Sequence, residues 1–510
     1  MTSCPTLIQH RGFSMATTPD WVQDAVFYQI FPDRFAKSER NPAHSLPFEP
    51  WDTPPTPHGF KGGDLYGIAD KLDYLKDLGI TALYLNPIFA SASNHRYHTY
   101  DYFNVDPLLG GNDALRFLLD RAHKKDIRVV LDGVFNHASR GFWQFHHVLE
   151  CGDGSPYKDW FFFDPERLSG KKQWGAYPGP HEARALQHED SLTAIGYRAW
   201  WNLPALPKFN TNTPAVREFL FSVAEHWIKF GIDGWRLDVA TEIDDDSFWQ
   251  EFRQRVRKIN PEAYIVAEIW HESQRWLQGD QFDAVMNYEV TKPMLAFFGG
   301  KHLDKRVLHQ QSNYHGIHHG IDAHEFANRI DHNLRLYKPD ITYAQLNLLD
   351  SHDTPRFLSC VSGNKDSLKL ALLFMFTYPG APCIYYGDEI GMDGEHDPFC
   401  RKSFPWDESK WDKDLLNHVK VIAELRRKNS ALRRGDFKRL WSTDGIYAYS
   451  RSFEGKTFVV AVNVSESPQQ VHVTVEANKA PKPVFGEASD ISMTDKLHFT
   501  VPGRSGVVLK

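Results

Sequence analysis

The chain has 510 residues, enough for two to four domains with a large buried core. Hydrophobic residues make up 42% and charged residues 24%, with 34 Gly and 30 Pro, which excludes collagen-like and disordered readings. Lys plus Arg number 58 against 65 Asp plus Glu, a net charge of -7, and without a basic excess nucleic acid is not an expected partner.

In chain order, the leader MTSCPTLIQHRGFSMATTPD is polar and lacks the apolar h-region of a secretory signal, so residues 1–24 are expected to be a flexible tail. No run of 18 apolar residues occurs, and no membrane association is expected. Short apolar runs then alternate with helix-like stretches. The strand candidates are AVFYQIFPDRF, TALYLNPIF, IRVVLDGVFNH, GWRLDVA, AYIVAEIW, DAVMNY, QLNLLDSHD and PCIYYGDEIG. Between them, IADKLDYLKDLG, ALRFLLDRAHKK and VREFLFSVAEHWIKFG carry apolar residues at spacings of three and four. Strands alternating with helices predict an α/β fold, a (β/α)8 TIM barrel spanning 25–137 and 206–428. From 138 to 205 the periodicity lapses into Gly, Pro, His and aromatics, predicting an inserted subdomain after strand three. From 429 to 510 short alternating runs such as GIYAYSRSF and KTFVVAVNV predict a C-terminal antiparallel β-sandwich. Five cysteines without a CxxC pair fit a reducing compartment, so the protein is read as cytoplasmic.

A barrel of this kind carries chemistry at the carboxyl ends of its strands. There the sequence is acidic: Asp132 follows VVL, Asp238 follows GWRL, Glu268 follows IVA and Asp353 lies in LLDSHD. Each alone could be a helix cap or an ion-pair partner. Four around one rim are harder to explain that way, since crowded like charges cost free energy unless function or a cation offsets it. Arg236 and Asp238, two apart on one strand, share a face, and the guanidinium is expected to hold Asp238 ionised as a nucleophile. Glu268 would need to carry a proton to act as donor; one carboxylate attacking and one carboxyl donating is what glycosidic cleavage requires.

These residues resemble the alpha-amylase family of glycoside hydrolases (family 13). DGVFNH at Asp132, GWRLDVA at Gly234, AEIW at Ala267 and LLDSHDTPR at Leu348 look like its four hallmark segments, with LPKFN and GDEIGM resembling two more, over residues 25–510. The resemblance implies Asp238 as nucleophile, Glu268 as acid and then base, and Asp353 as the carboxylate stabilising the oxocarbenium-like transition state. It also implies that Tyr97, His137, Arg236 and His352 hold the sugar, with Asp132 supporting the pocket. FPDRF, FKGGDLYGI, SNHRY, EIWHESQRWLQGDQFDAVMNY and GDEIGMDGEHDPFCRKSFPWD look like the cyclomaltodextrinase, neopullulanase and maltogenic amylase subgroup. That subgroup implies Trp270 on the leaving-group side, Asp397 and Arg401 on the other, and maltodextrins or cyclodextrins as substrates. The alternative is a transglycosylase in which a sugar hydroxyl intercepts the same intermediate. A non-catalytic carbohydrate-binding protein is disfavoured because all three carboxylates are present.

Two departures accompany the resemblance. The usual amino-terminal β-domain is missing, so dimerisation through it is not expected and the oligomeric state stays open. The loop after FPDRF, calcium-binding in relatives, reads AKSERNPAHS and surrounds Asn41 with too few oxygens for a hard cation; no cofactor is expected to be required. HGIHHGIDAH offers four imidazoles, but Gly316 and Gly320 argue against one helix presenting them, and a solvated or substrate-lining loop is the better reading than zinc. Trp200, Trp201 and Phe161 to Phe163 are either sugar platforms or subdomain core and stay outside the expected site.

Overall fold

The computed structural model describes residues 18–443, 445–475 and 480–510. The apolar runs form eight parallel strands: β1 (Phe27–Ile30), β2 (Ala82–Leu85), β3 (Arg128–Gly133), β4 (Gly234–Leu237), β5 (Tyr264–Ala267), β6 (Ala284–Val285), β7 (Leu346–Leu348) and β8 (Ala381–Tyr385). From β1 the ladder runs through β2, β3, β4 and β5 to β6 on one side, and through β8 to β7 on the other. It closes where Met286 bridges Leu346 and Asn287 donates its backbone N–H to the Leu346 carbonyl at 2.8 Å. Closure removes the exposed strand edge that an open sheet would carry.

Strand periodicity sorts the two faces. Phe27, Tyr84, Val130, Tyr264, Val266 and Leu348 pack together inside the ring, whereas Tyr28, Leu83, Leu131, Trp235 and Leu237 pack outward among helix side chains. The helix Pro214–Phe230 shows the outer layer's logic: Val216, Leu220, Val223 and Trp227 form its buried stripe, each contributing about 1.5 to 3 kcal/mol. Gly231 then ends it with a φ of 114°, a conformation that a side chain would strain. Gly234, opening β4, is required by close approach, since a Cβ there would lie 2.2 Å from the Tyr264 carbonyl oxygen.

Residues 18–24 correct the expected tail. Trp21–Asp24 is a helix, Val22 is buried among the inward residues of the barrel, and Trp21 donates its indole N–H to the Glu262 carbonyl at 2.9 Å. Arg434 clamps the segment through Asp20 at 2.8 Å and Asp24 at 2.6 Å. Two apolar residues inside a polar leader are enough to bring it into the fold. Residues 1–17, including Cys4 and Met15, lie outside the described residues.

Two further features follow β2 and β3, the first of them beyond the sequence pattern. A hairpin, Phe89–Ser91 with Thr99–Val105, follows β2, and its connection carries Tyr97. In the stretch 138–205, short helices such as Trp143–Cys151 and Ser191–Ile195 are held by isolated bridges, Phe161 to Phe209 and Phe163 to Tyr197 among them.

Beyond a short helix at Ser430–Arg434 the chain becomes all-β, with β9 (Asp436–Thr443), β10 (Ile446–Phe453), β11 (Lys456–Asn463), β12 (Gln469–Val473), β13 (Pro483–Phe485), β14 (Ser489–Met493), β15 (Leu497–Val501) and β16 (Ser505–Leu509). One sheet runs β9-β10-β11-β16-β13 and the other β12-β15-β14. Ala448, Val459 and Ala461 of the first share a core with Val471, Leu497 and Phe499 of the second, which makes a sandwich.

Candidate active site

Strand parity carries the acidic residues inward. Val130 and Asp132 on β3, Gly234, Arg236 and Asp238 along β4, and Val266 and Glu268 along β5 keep a two-residue spacing, so these polar groups continue the apolar interior up to the carboxyl end of the ring. Asp353 arrives from the segment after β7.

Arg236 is the hub. Fully buried, it reaches Asp132 and Asp238 with Nη1, each at 2.9 Å, and pairs with Glu268 through Nη2 at 3.1 Å. Asp132 also accepts hydrogen bonds from Tyr84 at 2.8 Å and Tyr97 at 2.9 Å. It is sealed behind the site, where it fixes Tyr97 and Arg236. One guanidinium divided among three carboxylates changes the expected electrostatics. Burial pushes the Asp238 carboxyl well above its ordinary value; Arg236 pulls it back, and Glu268 and Asp132 add to the push. The expectation that the Arg236 guanidinium holds Asp238 ionised is corrected accordingly: its pull is outweighed by burial and the neighbouring carboxylates.

Asp353 sits in a different field. Enclosure works against its charged form, but His352 at 2.9 Å and Arg401 at 3.3 Å outweigh it and hold the carboxyl below the ordinary range. Its side chain is 30% exposed, against 8% for Asp238 and 6% for Glu268. Gln29 donates its amide to His352 Nδ1 at 2.9 Å, which leaves Nε2 to face Tyr97 Oη at 2.7 Å and Asp353. The Tyr97 and His352 rings stack at 5.5 Å. Arg401 also pairs with Asp397 at 3.1 Å and donates to the His352 carbonyl.

Glu268 accepts the Val239 backbone N–H on Oε2 at 2.9 Å and the Trp270 indole N–H on Oε1 at 2.9 Å. Val239 can aim that N–H because it sits in the left-handed region, φ 38° and ψ 47°, which is costly for a β-branched residue and is the kind of strain found at functional sites. His137 stands to one side. It is buried, its Nδ1 faces Asn136, its Nε2 has no protein partner, and burial drives its pKa down to about 3, so a neutral ring is available to a ligand hydroxyl.

Tyr97, Asp132, Arg236, Asp238, Glu268, Trp270, His352, Asp353, Asp397 and Arg401 therefore form one connected network, with His137 beside it. Two neighbours went unread in the sequence. Tyr84 and Gln29 lie at inward parity on β2 and β1, a signal that was present in the sequence. Trp201, left open in the sequence between platform and core, also lies here: the His137, Trp200 and Trp201 rings stack in a column at 5.1 and 4.6 Å, and Trp201 is 77% exposed. It is not subdomain core, although Phe161 is. Trp201 and Asn202 hold left-handed φ values of 51° and 55°, and the Asn202 side chain fastens the turn by accepting from Ser191 N–H and donating to the Glu189 carbonyl.

The side chains do not fit calcium at the first loop. Asn41 Oδ1 takes the Ala43 N–H at 3.1 Å and Nδ2 donates to the Leu108 carbonyl at 2.8 Å, so it serves as a turn cap. His315, His318, His319 and His324 are all exposed, and among the described residues no group of three or more His, Cys, Asp or Glu is arranged to hold a metal.

A family model described as alpha amylase, catalytic domain, matches residues 29–433, and one described as alpha-amylase C-terminal domain matches 435–509. The chain is 44% identical over 464 residues to a cyclomaltodextrinase of Geobacillus thermopakistaniensis (strain MAS1), covering 90% of this chain and 72% of that one. It is 41% identical over 472 residues to neopullulanase 2 of Thermoactinomyces vulgaris, covering 91% and 73%. Among solved structures, the native form of the Nostoc punctiforme debranching enzyme matches with a TM-score of 0.87 at 44% identity, over 97% of this chain and 100% of that one.

Proposed function

The chain belongs to the alpha-amylase family of glycoside hydrolases, and from that premise we propose that it hydrolyses α-1,4-glucosidic bonds of cyclomaltodextrins and maltooligosaccharides with retention of configuration. Asp238 attacks the anomeric carbon while Glu268 gives its proton to the departing glycosidic oxygen, leaving a covalent glycosyl-enzyme. Water then attacks the same carbon, Glu268 takes up its proton, and the bond to Asp238 breaks. Asp353, held ionised by His352 and Arg401, faces the positive charge that develops on the sugar in both steps. The observation that carries this reading is the tie of Asp238 and Glu268 to one buried guanidinium, with Asp353 more exposed and paired instead with Arg401.

The substrate class is supported by relatives named cyclomaltodextrinase and neopullulanase. The name of the Nostoc protein makes α-1,6 bonds worth assaying as well. Product analysis on β-cyclodextrin, maltotriose, pullulan and soluble starch is expected to show faster attack on the small substrates than on starch. Nuclear magnetic resonance during the first turnovers should show the α-anomer. Preferential attack on starch would remove the substrate assignment, and an initial β-anomer would remove the covalent mechanism. Long transfer products in place of glucose and maltose would favour transglycosylation.

Trp201 extends the site outward as an aromatic platform for a sugar unit away from the cleaved bond. Stacking of this kind contributes about 0.5 to 1.5 kcal/mol beyond the area it covers. Trp201→Ala is therefore expected to raise KM for maltohexaose by about five- to tenfold and KM for maltotriose far less. Equal changes for the two lengths would show that the ring has no part in extended binding.

A cytosolic location is supported by the free thiols of Cys151, Cys360, Cys383 and Cys400. Among the described residues no helix is long and apolar enough to cross a membrane.

A further inference from the structure

The acid/base carboxyl is held on both oxygens before substrate arrives. Glu268 Oε2 accepts the Val239 N–H at 2.9 Å and forms an ion pair with Arg236 Nη2 at 3.1 Å, so a hydrogen bond and a neighbouring positive charge both disfavour a proton on that oxygen. The proton needed for leaving-group departure therefore belongs on Oε1. There the Trp270 indole N–H, a donor that cannot accept, takes one lone-pair direction at 2.9 Å and leaves the other for the proton. Which way that proton points is thus set by where the indole sits.

The indole is itself held. Its ring lies flat on Tyr288, centroids 3.6 Å apart and planes 7° from parallel, and Lys292 Nζ donates to the Trp270 carbonyl at 3.1 Å. Tyr288, the first residue of the helix Tyr288–Gly299, is fully buried. Its hydroxyl meets Ser351 Oγ at 3.0 Å, and that same Oγ accepts the Asp353 N–H at 3.2 Å. One buried ring thus spans the segment that carries the acid/base and the segment that carries the transition-state carboxylate.

We propose that Trp270 is a positioning residue for general acid catalysis, its indole N–H orienting the Glu268 carboxyl toward the glycosidic oxygen, with Tyr288 locking the indole in place. This rests on the hydrolase reading above and goes beyond a sugar-shaping role for the ring. The indole N–H is not transferred. The proton moves from Glu268 Oε1 to the glycosidic oxygen as the C1–O bond breaks and the bond from Asp238 to C1 forms.

The test uses leaving groups of different need. A glucosyl alkoxide leaves only with a proton, whereas fluoride departs from α-maltosyl fluoride with little help. Trp270→Phe keeps a ring to stack on Tyr288 and removes the N–H. Its kcat/KM is expected to fall about thirtyfold on maltohexaose, a part of the 100- to 10,000-fold that general acid catalysis supplies, and severalfold less on the fluoride. Tyr288→Leu keeps the N–H but frees the indole, and should show the same split with a smaller amplitude. Equal losses on both substrates, or no loss on maltohexaose, in a parent-like folded Trp270→Phe protein overturn the proposal alone. Should Trp270→Phe fail to fold, the Tyr288→Leu ratio decides in the same way. A parent chain that cleaves neither substrate overturns the hydrolase reading as well.

Discussion

Asp238→Asn is expected to lower kcat on maltohexaose by about 10,000-fold or more while raising the melting temperature at pH 7. The first effect follows from losing the carboxylate proposed above as the nucleophile; nucleophile removals of this kind cost several orders of magnitude. The second follows from the crowding around it. Burial drives the Asp238 carboxyl up and Glu268 and Asp132 add to the push, so its ionised form is a burden on the folded state. A group whose folded pKa is raised contributes its stability below the ordinary carboxylate range and loses it as pH rises. The neutral amide escapes that loss. The stability gain of the variant should therefore grow from pH 4 to pH 7 and vanish near pH 3, which thermal melts across that range would measure. A variant less stable than the parent at pH 7 would show that the Arg236 to Asp238 pair outweighs the repulsion. Stability exchanged for activity at a crowded site is a familiar pattern in enzymes.

Arg236→Leu is expected to have the opposite sign and to be among the most damaging single changes in the barrel. The guanidinium is fully buried and answers to Asp132, Asp238 and Glu268 together. Leucine fills part of the volume but leaves those carboxylates in the ring interior with no cation between them. Removing one partner of a buried pair costs about 3 to 5 kcal/mol, chiefly through the charge left behind. The cost should be largest at neutral pH and shrink toward pH 4, where protonation relieves the repulsion. Denaturant titrations of parent and variant at pH 7 and pH 4.5 provide the comparison. A loss independent of pH would mean that packing, not charge, explains the residue.

Particular residues show how far local pattern reaches. The alternation of Val130 with Asp132, Arg236 with Asp238 and Val266 with Glu268 is a local property, because strand side chains change face at every residue. Those polar groups could thus be assigned to one side of the sheet with no knowledge of closure. Tyr84 and Gln29 obeyed the same rule, and reading it on β1 and β2 would have found them. Trp21 and Val22 mark where the pattern fell short, since two apolar residues make no period and only the end of the barrel shows what they cover. Trp201 stayed open between platform and core for a related reason: composition cannot tell a ring facing its own subdomain from one stacked outward on a strained turn.

The sequence by itself determined the order of strands and helices, the β-sandwich at the carboxyl end and the inward parity of the carboxylates. Each follows from neighbours a few residues apart, where chain geometry imposes the period. The tertiary structure alone decided who shares Arg236, that Val239 turns a strained N–H toward Glu268, and that Trp270 is pinned between Glu268 and Tyr288. Arg236 meets Asp132 across 104 residues and Val239 meets Glu268 across 29. Contacts at such separations exist only once neighbouring strands have paired in register, as Asp132 does with Arg236, and so do the buried charges whose balance sets the chemistry.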